Sequence, residues 1–140
     1  MSLVVPSVGE LVMLNKLLKV ALSTNENYIL KLYKTAVTPA EATTQASFTE
    51  ANFTNYAART LTRANWNAAA VSGLKAESSY NAVQSWTCGT TGNTVYGYWV
   101  VGDGANAGTC LWAELFSTSR VLANGDVLNI TPFDCYLRAA

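Results

Sequence analysis

Histidine is missing from this sequence altogether, and charged side chains are scarce, at 13% of 140 residues. Without imidazole the chain lacks the commonest general base, the commonest metal ligand and most pairs that activate a nucleophile. An ordinary soluble domain carries about 25% charged residues. Here Ala, Thr, Asn and Ser fill the surface instead. Such a surface has few ions to desolvate on burial, which suits extensive contact with other proteins. The charges that exist cancel, nine Lys plus Arg against nine Asp plus Glu. A neutral chain gains little from releasing phosphate counterions, so nucleic acid is not expected as a partner. No basic cluster is present either; Arg59 and Arg63 stand alone in a strand-like run.

Cysteine is sparse too. Cys88, Cys110 and Cys135 are odd in number, widely spaced and free of any C-x-x-C motif. They read as buried small thiols of a chain folded in a reducing cytosol, with one disulfide plus a free thiol as the alternative. Long apolar runs are also absent. The stretch Leu11–Leu22 is broken by Asn15, Lys16 and Lys19, is too short for a bilayer, and precedes no A-x-A cleavage site. The expectation is cytosolic synthesis and no membrane partner. The sequons at Asn52 and Asn129 are then chance matches.

What is present is apolar. Half of the residues are hydrophobic and 11% are aromatic, which excludes a disordered chain. At this length one domain buries roughly 70% of the surface its unfolded form exposes. The carboxylates that could pair for catalysis are Asp103, Glu114, Asp126 and Asp134. Asp103 and Asp126 sit beside Gly, where turn bonding explains them. Glu114 falls in a strand-like run with a solvent face. The Gly102-Asp103-Gly104 and Gly89–Gly92 segments lack the spacing of phosphate loops. No catalytic residue, metal ligand or cofactor is assigned, and no enzymatic activity is expected.

Periodicity divides the chain. Residues 1–6 read as a short extended arm ending at Pro6, followed by a single domain over 7–140. Ser7 and Glu10 match a capping box, and Leu11, Leu14, Leu18 and Leu22 then form one helical face. From Tyr28 the period becomes two: Tyr28, Leu30 and Leu32 face one way, Ile29, Lys31 and Tyr33 the other. A connection of about twenty residues follows, pinned by Phe48, Phe53 and Tyr56. Further strands are expected at 58–66, 71–75, 82–86, 94–101, 109–115, 126–130 and 133–137. The run 94–101 is apolar on both faces and should be central. The fold class is therefore mainly β, an antiparallel β-sandwich (jelly-roll-like or Ig-like) with one N-terminal α-helix. Most of the aromatics should be core. Leu3, Val4, Val5 and Pro6, as an apolar arm, and Tyr96 and Tyr98, as ring positions on one face, are the residues expected to meet a partner.

The order of certain segments is familiar. Glu10–Leu18 and the strand Tyr28–Tyr33 come first, then Ser47–Ala57, Val95–Val101, Leu111–Phe116 and Asn124–Pro132. Taken together they resemble small proteins encoded among the structural genes of tailed phages, including cyanophages. The resemblance implies a virion component, best matched to a capsid cement or decoration protein on the capsid exterior. A tail or head-fibre component with a receptor or sugar-binding role is the alternative. It further implies that the chain binds the major capsid protein and itself, with a trimer favoured. It brings no catalytic residues.

Overall fold

Alternating apolar residues give this chain its strands, and Gly, Asn and Asp give it its turns. The computed structural model describes residues 3–9, 27–68, 70–72, 75–130 and 134–138, with side chains at all of these except 3, 71, 72, 75–77 and 134–138. The described strands are β1 (Leu3–Val4), β2 (Tyr28–Tyr33), β3 (Arg59–Leu61), β4 (Ala70–Ser72), β5 (Lys75–Ser79), β6 (Gln84–Thr87), β7 (Thr94–Gly102), β8 (Cys110–Val121), β9 (Val127–Ile130) and β10 (Asp134–Arg138). They form a five-stranded sheet β1-β8-β7-β2-β3, a three-stranded sheet β10-β5-β4 and a pair β6-β9. Every strand pairing is antiparallel. The fold is mainly β, as expected.

β7 lies at the centre of the large sheet and is buried on both faces, which is why its sequence carries no charged residue and is apolar or aromatic from Val95 onward. On the first face Leu30, Leu32, Tyr98, Val100 and Trp112 meet Trp86, Leu128 and Ile130 from the β6–β9 pair. That contact makes the arrangement sandwich-like, two antiparallel layers sharing one apolar core. On the second face Tyr33, Trp99, Val101, Cys110 and Ala113 gather with Phe48.

Phe48 comes from the long connection between β2 and β3. Its ring stacks on Trp99 at 5.1 Å and lies 4.8 Å from Tyr33. A polar clasp completes the anchoring. Lys31 pairs with Glu50 at 3.1 Å, Tyr56 donates its hydroxyl proton to Glu50 at 2.9 Å, and that hydroxyl accepts the Leu32 N–H at 3.1 Å. The twenty-odd residues are thus held down by rings, as their spacing suggested.

Some elements differ from the sequence reading. The run 58–66 is a strand only over Arg59–Leu61, because Arg63–Asn65 tightens into a 3-10 turn. β8 runs six residues past Leu115, carried by its alternating Ser and Thr. Residues 7–9 are helical, with the Gly9 N–H donated to the Pro6 carbonyl at 2.8 Å. Glu10 and the leucine face lie outside the described residues.

Candidate interaction surface

The first residues were expected to reach away from the body. Instead Leu3 pairs with Glu114 and Val4 with Ala113, so β1 is an edge strand on β8. Val5 packs against the first core and Pro6 is fully buried. Ser7 N–H is donated to the Glu41 carbonyl at 3.0 Å. Over residues 3–6 the free arm therefore gives way to a docked strand. Docking satisfies backbone groups of β8 and removes Pro6 from water, which solvent exposure would not do.

Tyr98 is buried, and its hydroxyl donates to Glu114 Oε2 at 2.6 Å. Tyr96 packs against the second core, on the other face. The two rings do not share a face because the β7–β8 register shifts between Val95 and Gly97. The spacing of two suggested otherwise, and a bulge has no signature in apolar alternation. Tyr98 is thus a core residue, and Tyr96 is half-buried.

Glu114 is the buried carboxylate of the described residues, 9% exposed within an aromatic shell. Its backbone carbonyl accepts the Tyr33 hydroxyl at 3.1 Å. Burial first, and then the Glu114 charge, push the Tyr33 hydroxyl above its ordinary pKa. Further along β8 the character changes. Ser117, Thr118, Arg120 and Val121 are exposed, Val121 by 74%. Gly97 pairs with Leu115 and Val95 with Arg120, so residues 116–119 stand against Tyr96 alone and arch out of the ladder. β1 pairs with β8 at Ala113 and Glu114, and β7 pairs with it again at Arg120 and Val121.

The outside of the β6–β9 pair is another surface, where Ser85, Thr87, Val127 and Asn129 are exposed. Both surfaces can form contacts through backbone edges, hydroxyls and small apolar groups.

The four carboxylates that could pair for catalysis, Asp103, Glu114, Asp126 and Asp134, have separate surroundings. Asp103 and Asp126 are exposed in turns, and Asp126 Oδ2 accepts the Ala123 N–H at 2.8 Å. Glu114 is committed to Tyr98, and the side chain of Asp134 lies outside the description. Among the described residues no group of three His, Cys, Asp or Glu could hold a metal, and no helix is long and apolar enough to cross a membrane. Cys88 and Cys110 are buried free thiols, and burial pushes Cys110 up to about 12. Trp86, Trp99 and Trp112 are buried, while Trp66 is half-buried edge-on to Tyr28, Tyr80 and Trp112.

Residues 8–137 match the family model described as podophage GP4 fiber I protein gp80. No curated protein matches the chain.

Proposed function

We propose that this chain, which belongs to the podophage GP4 fiber I protein gp80 family, is a structural subunit of a virion fibre. Membership makes it a phage virion structural protein. The observation that carries the fibre reading is the family match, which spans nearly the whole chain rather than one motif. A neutral surface with few ions supports it, because successive subunits bury such surfaces at little desolvation cost. The chain works by contact and not by chemistry.

Capsid cement on the outer lattice, the finer role implied by the phage resemblance, has no comparable support, and the fibre takes its place. A sugar-binding role within the fibre is also weakly supported, since Trp86, Trp99 and Trp112 are spent on the core. Its partners are then other fibre chains, including copies of itself.

Deletion of the gene from its phage tests the reading. Particles should lose one fibre and keep stable, filled heads. Heads that leak DNA while every fibre remains would return the weight to cement.

A further inference from the structure

Asn124-Gly125 is the one Asn-Gly pair in the sequence, and both residues are exposed in the turn between β8 and β9. Asparagine is among the chemically labile residues. Its side-chain amide carbon is one ring closure away from the next backbone nitrogen. That closure is easiest when the next residue is glycine, which has no Cβ to block the approach. Water has open access as well, since nothing lies within 4 Å of the position a Gly125 Cβ would take.

The folded turn commits that nitrogen elsewhere. Of the pair, Gly125 has the positive φ, 89°, as the third residue of a type II turn does. Its N–H is donated to the Cys88 carbonyl at 2.8 Å. The nitrogen therefore keeps its proton and points at the residue that follows β6. Further bonds fix this arrangement. Cys88 N–H is donated to the Asp126 carbonyl at 2.8 Å, and Asp126 N–H to the Ala123 carbonyl at 3.0 Å. The Asp126 Oδ2 accepts the Ala123 N–H at 2.8 Å.

We propose that Asn124-Gly125 is a self-modification site that the Gly125–Cys88 hydrogen bond holds closed and that opening of the turn releases. In the open turn the Gly125 nitrogen loses its proton to solvent and bonds to Asn124 Cγ. The Cγ–Nδ2 bond breaks, and the amide nitrogen takes a proton from water and leaves as ammonia. The product is a cyclic succinimide, which water then opens. Hydrolysis at Cγ leaves aspartate. Hydrolysis at the backbone carbonyl leaves isoaspartate, in which the main chain runs through the former side chain. No oxidant or reductant takes part. Either product adds a negative charge to a chain whose nine cations and nine anions balance. Isoaspartate also lengthens the main chain between residues 124 and 125 by a methylene, which displaces Gly125 from Cys88. A transient opening at the rim of the β6–β9 layer is thereby made permanent. The proposal goes beyond the fibre reading and does not rest on it.

The test uses the full recombinant chain in mildly alkaline buffer, with and without urea. Peptide mapping by mass and labelling with an isoaspartyl methyltransferase read the product. At residue 124 it should accumulate at least about tenfold faster in urea than in the folded chain. Asp126→Ala removes the side-chain bond to Ala123 at an exposed position, so the fold should persist. It should speed modification of the folded chain about threefold or more and leave the rate in urea close to that of wild type. Amide exchange at Gly125 reads the latch without the chemistry, and should be slow in wild type and faster in D126A. Equal rates with and without urea, or no product at residue 124 in urea, overturn the proposal. So does a folded D126A chain that reacts no faster than wild type, or a wild-type Gly125 amide that exchanges as fast as in the unfolded chain.

Discussion

The sharpest test of the packing is a single methyl group at Gly97. This residue sits in the central strand, opposite Leu115 on one side and Tyr33 on the other. The space its missing side chain leaves is crossed by the Tyr33 hydroxyl on its way to the Glu114 carbonyl. A Cβ there would overlap both that carbonyl oxygen and the hydroxyl. Tyr33 is fully buried, and its ring is held against Phe48, so it cannot step aside. Gly97→Ala therefore forfeits a buried hydrogen bond, about 1–3 kcal/mol, and overpacks the sheet, about 1–3 kcal/mol. The intrinsic gain of Ala over Gly in a strand returns roughly 0.5–1 kcal/mol. The net expectation is a loss of about 2–4 kcal/mol, read by urea unfolding with tryptophan fluorescence. In a Tyr33→Phe background the hydroxyl is gone, and the same methyl should cost clearly less. A G97A variant within about 0.5 kcal/mol of wild type, or an equal cost in both backgrounds, would refute the reasoning.

Other expectations follow from the same contacts. Phe48→Ala should cost about 3–5 kcal/mol and expose the β2–β3 connection to limited proteolysis; a connection that resists cleavage would show that Phe48 does not anchor it. Asn55 holds a positive φ of 73°, so Asn55→Ala should cost about 1–2 kcal/mol while Asn55→Gly stays near neutral, both read from urea midpoints. Burial holds the Cys110 thiol at about 12 against its ordinary 9.0. The unfolded chain then releases this proton first, so its contribution is intact below pH 9 and is lost as pH rises toward 12. Cys110→Ala should flatten that decline in unfolding midpoint; a midpoint that climbs above pH 9 in wild type would contradict the sign.

The parts of this fold that a sequence can disclose are those governed by alternation. β2 runs over Tyr28–Tyr33 because Lys34 breaks the apolar series there. β7 is central because neither of its faces is polar. β1 was opaque, since two residues show no period, and an apolar pair looks the same free or docked. The run at 71–75 splits into β4 and β5, which pair Ser72 with Lys75. The interaction surface was least visible. Tyr96 and Tyr98 were separated by a register shift that depends on the partner strand. Thr118 and Arg120 lie past Leu115, in a Ser/Thr run with no apolar alternation to extend the strand. The charge of Glu114 suggests a solvent face, whereas the Tyr98 hydroxyl opposite it holds the carboxylate inside the sheet.

The central claim is that the chain is a fibre subunit, and cryo-electron microscopy of the purified virion tests it most directly. Density for the five-stranded sheet and its β6–β9 partner layer should appear within a fibre attached to the particle. The same density repeated across the capsid lattice, and absent from every fibre, would contradict it.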